Sequence, residues 1–298
     1  MCKKILAFLS VLLVFSLVAV CCLSASSEGN LLRIFDAGKT LLFDTENVTV
    51  SGHAEFTLDG ERFKTADILY KQDSTYSHWQ LDLLTPRPDA EDRETGYTII
   101  ANGEKIIIME KYNPGFYTVA YDEPSRSLLR QSAASDLLVT MAYALADPIE
   151  GLLPEGAMAV SETAGGTEVQ ITLTQDTAPA MLNPLMNSAL QFALRRFMGV
   201  DFDHIADWGV GPFDSYPTVT QSVICTTSSY LLGDTSVTVV LDENGRLASV
   251  RGTVNVILSS RHERQRTVTV TFNLSVSDYG KTYVRTFDAD AFGVVPAV

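Results

Sequence analysis

From Val268 to Val276 every second residue is apolar: Val268, Val270, Phe272, Leu274 and Val276 alternate with Thr269, Thr271, Asn273 and Ser275. A helix cannot use such a pattern, because its side chains repeat every 3.6 residues, whereas a strand sends successive side chains to opposite faces. Alternation this regular means a sheet with one dry and one wet face, the habit of antiparallel sheets. The same period governs Val48, Val50, Ala54 and Phe56, set against Thr49, Ser51, His53 and Glu55.

Turn signals string further strands between these two. Asp59-Gly60 leads into a strand from Glu61 to about Lys71, because both residues tolerate positive φ. Trp79, Leu81 and Leu83 alternate next, and Pro86, Pro88 and Asp89 to Glu94 read as a solvent loop. Strands from Tyr97 to Ala101 and Lys105 to Lys111 flank Asn102-Gly103, with another expected within Tyr112 to Tyr121. A hairpin crosses Gly165-Gly166, with Val169, Ile171 and Leu173 on one face. Val237, Val239 and Leu241 run into the turn Asp242-Glu243-Asn244-Gly245, and Ala248, Val250, Val254, Val256 and Leu258 leave it.

Helical spacing appears in three places. Leu31, Leu32, Ile34, Phe35, Leu41, Leu42 and Phe43 predict an amphipathic helix over about 30–43. Asp136 to Leu145 predicts a second that must stop before Pro148. Asn183 can cap a third, with Pro184 at its first position and Gly199 at its end. No strand–helix–strand alternation occurs. The expected fold is α+β: a curved antiparallel sheet with helices packed on one side.

The chain opens Met1-Cys2-Lys3-Lys4, followed by an apolar run from Ile5 to Leu23 and Ser24-Ala25-Ser26-Ser27. This describes a secretory signal peptide over residues 1–26. The run also suffices for an uncleaved membrane anchor, since about 20 apolar residues span a bilayer. Cys21 and Cys22 add lipidation as a third outcome, although Val20 rather than a small residue precedes them. Each outcome places the remainder outside the cytoplasm, secreted or held on the outer face of the cytoplasmic membrane. Residues 27–298 are expected to form one domain, with sheet-forming halves at about 30–147 and 148–298.

Of four cysteines only Cys225 lies beyond the export segment, so no disulfide can form within the mature chain. Its stability must come from an apolar core. The net charge is −14, and losing Lys3 and Lys4 leaves 20 basic against 36 acidic residues, or −16. Such a chain repels phosphate backbones, which excludes a nucleic-acid partner.

Catalytic apparatus is not legible. There is no Gly-x-Ser-x-Gly turn, Cys225 sits in the strand-like run Val223-Ile224-Cys225, and no Gly-rich phosphate loop occurs. His53, His78, His204 and His262 are scattered, and Asp201, Asp203 and His204 lack the spacing of a calcium loop. No enzyme, metal or cofactor is therefore expected.

Phe56-Thr-Leu-Asp-Gly-Glu61, Phe63-Lys-Thr-Ala66 and Gly96-Tyr-Thr-Ile-Ile-Ala-Asn-Gly103, behind an amphipathic opening helix, resemble exported proteins of the lipoprotein-carrier superfamily, that of LolA and the mycobacterial LppX and LprG lipoproteins. The resemblance implies a strongly curved antiparallel sheet, an unclosed half-barrel, with helices packed on its apolar concave side, which holds acyl chains. The reading that follows is a non-enzymatic extracytoplasmic binding protein for a lipid or acylated ligand. Its lining would come from Phe56, Trp79, Leu81, Ile99, Ile107 and Met109 on strands, with Leu190, Leu194 and Phe197 on the capped helix. A register error of one residue would invert a strand's share of that set. The alternative is an envelope protein with a filled core. It would bind another protein through sheet edges or the loops at 86–94 and 259–266, the latter carrying Arg261, His262, Arg264 and Arg266. A secreted hydrolase comes third. Membrane association is expected only through the N-terminal segment.

Overall fold

The computed structural model describes residues 30–74, 77–87, 90–102, 105–110, 113–120, 154–176, 229–259 and 265–285. The segment expected to direct export, with Cys21 and Cys22, and the two later helices expected from sequence, the second with Leu190, Leu194 and Phe197, fall outside these residues. So do most of the loop at 259–266 and the cluster Asp201, Asp203 and His204.

The described strands form one open, curved antiparallel sheet. In chain order they are β1 (Val48–Leu58), β2 (Glu61–Gln72), β3 (Ser77–Arg87), β4 (Ala90–Asn102), β5 (Lys105–Glu110), β6 (Asn113–Ala120), β7 (Met158–Thr163), β8 (Gly166–Leu173), β9 (Ser229–Asp242), β10 (Leu247–Ser259) and β11 (Arg266–Ser277). Their order across the sheet is β6-β5-β4-β3-β2-β1-β11-β10-β9-β8-β7. Two meanders thus meet where the first strand pairs with the last, in unbroken register from Thr49↔Ser277 to Leu58↔Val268. The halves expected from sequence share a single sheet.

Local chemistry explains the turns. Asp59 has φ 52° and Gly60 has φ 88°, the two positive values that a tight hairpin turn demands. Asp59 also ties this turn to the start of β11: its Oδ1 accepts the Thr267 N–H at 2.8 Å and its Oδ2 accepts Arg266 Nε at 2.6 Å. At the β9–β10 turn Asp242 Oδ1 accepts the backbone N–H groups of Asn244 and Arg246, each at 2.9 Å.

Two expectations are corrected. The acidic stretch ahead of Gly96 is strand rather than loop: β4 begins at Ala90, and Thr85↔Thr95 and Pro86↔Glu94 extend the β3–β4 ladder. Pairing uses backbone groups whatever the side-chain charge. Pro86, which has no N–H, sits where the register shifts, as prolines in sheets do. The rule of one dry and one wet face also fails locally. Ile100 is buried although its neighbours in register are Gln80 and Ile107.

Among the described residues one helix precedes the sheet. α1 (Asn30–Lys39) continues into a wider π-helical turn, Thr40–Asp44, closed by the Thr45 N–H donating to Thr40 O at 2.8 Å. Ile34 and Ala37 are each 3% exposed. Arg33 donates to Thr167 Oγ1 on β8 at 3.2 Å, and its other nitrogen lies 3.7 Å from Glu162 Oε1 on β7. Leu41 packs with Val48, Tyr70 and Val276 near the central seam. α1 thus buries Ile34 and Ala37 and is tied to β7 and β8 through Arg33.

Candidate functional site

Following one register position across the whole sheet gives Val160, Val169, Val239, Val250, Leu274, Gly52, Ile68, Leu81, Ile99, Ile108 and Tyr117. Every strand contributes one residue, and none of them is charged. Directly paired residues share a face, so this row is one continuous apolar track through both meanders. The adjacent row repeats it as Met158, Ile171, Val237, Gly252, Phe272, Ala54, Ala66, Leu83 and Tyr97, and turns polar only at Glu110 and Asn113.

The alternate positions behave oppositely. Gln170, Thr238, Arg251, Asn273, His53, Asp67, Asp82 and Thr98 follow one another across the sheet. His53 Nδ1 lies 2.7 Å from Asp67 Oδ1, with both side chains about half exposed. Asp67 stands directly opposite a second carboxylate, Asp82, which accepts hydrogen bonds from the Thr98 hydroxyl and, at 3.0 Å, from Gln80 Nε2. This is a solvated polar face. Among the described residues no three His, Cys, Asp or Glu side chains come together to hold a metal ion.

Glycines let the apolar face close up at the seam. A Cβ on Gly52 would collide with the Leu274 side chain and lie 2.6 Å from Asn273 O; one on Gly252 would collide with Ser236 O and lie 2.9 Å from Val237 Cα. The large β11 residues Phe272 and Leu274 thus have small partners beside them: Gly252 and Ala54 flank Phe272, and Gly52 flanks Leu274. Glycine inside a strand marks such close approach.

The strand residues named from sequence fall in two sets of register positions. Phe56, Trp79, Leu81 and Ile99 occupy register positions of the apolar set: Trp79 pairs with Tyr70, Leu81 with Ile68, Ile99 with Leu81, while Phe56 lies on β1 two positions from Ala54. Phe56 is 4% and Leu81 7% exposed. Ile107 pairs with Ile100 and Met109 with Thr98, so both occupy the other face. Isoleucine fills three consecutive positions from 106 to 108, which leaves no alternation from which to read the phase. Ile106 and Ile108 hold the apolar positions instead.

Sequence reasoning missed Lys64. It stands directly opposite Phe56 and shares its face with Ala66, Ile68 and Tyr70. Burial lowers its pKa from 10.5 to about 8. The residue as a whole keeps part of its surface in solvent, so the shift reflects crowding of the ammonium rather than enclosure of the whole side chain. The signal was present in Phe63-Lys64-Thr65-Ala66, where a charge falls in phase with the apolar residues that follow. Gln72, further along this face, is 3% exposed. It donates to Thr45 O at 3.0 Å and Glu46 O at 3.3 Å and accepts the Tyr70 hydroxyl, which ties the end of the π-helical turn to β2.

No protein-family model and no curated protein matches this chain. Among solved structures it is similar to a DUF1329 family protein from Desulfovibrio piger, at 7% identity and a TM-score of 0.22, over 84% of this chain and 93% of that one. A likeness of that strength decides neither fold nor function.

Proposed function

We propose that this protein is an extracytoplasmic, non-enzymatic binding protein that holds a lipid or acyl chain against the apolar face of its curved sheet. The observation that carries the reading is the row from Val160 to Tyr117, apolar or glycine in every strand. Its chemistry is shape and desolvation. Each methylene taken from water contributes roughly 0.8 kcal/mol, so an acyl chain gains affinity without directed polar contacts. The resemblance to lipoprotein carriers points the same way, as do the expected signal sequence and envelope location. Helices closing the concave side would complete the cradle.

A second reading has one observation in its favour. Val256 and Val268 are 0% exposed, and Val169, Val237 and Val239 each 1%, so this part of the face is covered within the fold itself. A wholly filled interior would make the molecule an envelope interaction protein.

Native mass spectrometry of the mature chain, purified gently from its own host, separates the two. The carrier reading expects co-purified lipid and uptake of a fluorescent fatty acid after delipidation. Clean protein that takes up no fatty acid would overturn it.

A further inference from the structure

Among the described residues β7 is the last strand of the sheet and pairs only with β8. Ala159 to Thr163 are all exposed, so side chains on both faces of this strand reach water. Val160 is 39% exposed, whereas Val169, directly opposite on β8, and Val239 on β9 are each 1%. The apolar row is therefore covered at β8 and β9 and open at its end.

The ladder to β8 fixes which backbone groups of β7 it uses. The Thr172 N–H donates to Ala157 O at 2.8 Å, and these two residues stand one step beyond Met158↔Ile171 in the same register. Bonded and non-bonded pairs alternate along an antiparallel ladder. Ala159, Ser161 and Thr163 thus turn their N–H and C=O toward β8. Met158, Val160 and Glu162 turn theirs outward, three donors and three acceptors in a row. Such a row is a template for another strand, and proteins ordinarily blunt it with lysine, proline or a bulge. β7 has none of these: it reads Met158-Ala-Val-Ser-Glu-Thr163, in unbroken register with β8.

The strand that fits best is a second copy of β7. In an antiparallel pair with a two-fold axis at Val160, Val160 meets Val160 of the other copy, and Met158 and Glu162 meet each other on either side. All six outward groups then find partners. Directly opposed residues share a face, so the two Val160 side chains cover each other and the apolar row runs on into the second copy. Charge also fits. Glu162 is the only ionisable side chain of the edge, accepts the Thr167 hydroxyl at 3.0 Å and lies 3.7 Å from Arg33. This register sets it against Met158 rather than against its own image. The remaining acidity of the chain does not forbid the contact, because exposed charges further apart than about 8 Å are largely screened at physiological salt.

We propose that the protein forms a two-fold dimer by antiparallel pairing of β7 with β7, centred on Val160, which joins two sheets edge to edge. This does not depend on whether the apolar face holds a ligand.

Sedimentation velocity of the mature chain tests it. Two short strands make a small interface, so dimer should replace monomer over roughly 1–100 µM. Val160→Pro removes the central outward N–H, which β8 does not use, and should weaken dimerisation about tenfold or more while the chain stays folded in thermal melts. The register has its own check. Val160→Lys and Val160→Glu should each be monomeric alone, because like charges meet at the axis, and should dimerise when mixed. If Val160→Pro fails to fold, this charge pair decides alone. Monomer at every concentration overturns the proposal and leaves the edge to a strand of a different protein. A dimer that Val160→Lys leaves intact, or a mixture no more dimeric than its parts, overturns it as well.

Discussion

The Arg246 guanidinium lies over the Tyr279 ring, 4.5 Å from its centroid, and so pins the segment after β11 to the turn between β9 and β10. Around that contact, Asp242 Oδ2 accepts Arg246 Nε at 2.8 Å, and the Tyr279 hydroxyl donates to Leu247 O at 2.7 Å. The chain beyond Tyr279 then crosses the end of the first meander: Asn47 Nδ2 donates to Thr282 O at 3.1 Å, and the Val284 N–H to Asp73 Oδ2 at 2.8 Å. One short tail thereby fastens the strand ends of both meanders.

Tyr279 and Asp242 predict how that fastening responds to pH. Burial, reinforced by the Asp242 charge and opposed by Arg246, pushes the Tyr279 phenol up to about 12. Between its ordinary value of 10 and about 12 the native state holds the proton more firmly than the unfolded chain, so stability falls as pH rises through that window. For Asp242, burial alone would raise the pKa, but hydrogen bonds from the Arg246 side chain and from the Arg246 and Asn244 backbone outweigh it and hold the carboxyl below its ordinary range. Its contribution is present at neutral pH and lost as pH falls through the depressed value. Urea melts of Asp242→Asn should show a loss of about 1–2 kcal/mol at pH 7 that narrows in acid.

Lys64 predicts a slope of the opposite sense. Its folded value of about 8 lies below 10.5, so the unfolded chain binds more protons between them and stability rises with pH across that window. Lys64→Met should remove the slope and raise stability at pH 7 by roughly 1–2 kcal/mol, allowing for the partial exposure of the side chain. A variant less stable than wild type would show that the ammonium is held by a strong partner within the fold.

His78 stands directly opposite Lys71 on β2. Burial first, and the Lys71 charge second, lower its pKa below 6.5, which leaves it neutral at pH 7. A proton-detected NMR titration should find the His78 ring titrating below the ordinary histidine range. Lys71→Met should move it part of the way back, because burial, the larger cause, remains.

Three glycines should answer oppositely to alanine. Gly52→Ala and Gly252→Ala add a methyl group where the neighbouring strand already sits, and each should cost about 1–3 kcal/mol. Gly38 lies inside α1, and a Cβ there meets nothing within 4 Å. Gly38→Ala should therefore stabilise by about 0.5–1 kcal/mol. Thermal melts of the three variants check the set, and a stabilised Gly252→Ala would contradict the register at the seam.

Much of the local structure could be read directly from the residues. The faultless alternation of Val268 to Val276, the Asp59-Gly60 turn and the amphipathic run from Leu31 each specified an element, because period and turn chemistry act within a few residues. The apolar phase was equally legible wherever polar residues marked the other face, as at Phe56 and Leu81. It was not legible at Ile107 and Met109, where Ile106 and Ile108 satisfy the alternate phase equally well and only the partner strand breaks the tie.

What the sequence by itself determined was that this chain makes antiparallel strands with an apolar face. Tertiary structure alone decided that β1 pairs with β11, which joins two meanders into one sheet and their apolar stripes into one track. It also decided that Lys64 stands opposite Phe56. The physical reason is range: periodicity records which side of its own strand a residue prefers, whereas the neighbour it meets there comes from a strand some two hundred residues away.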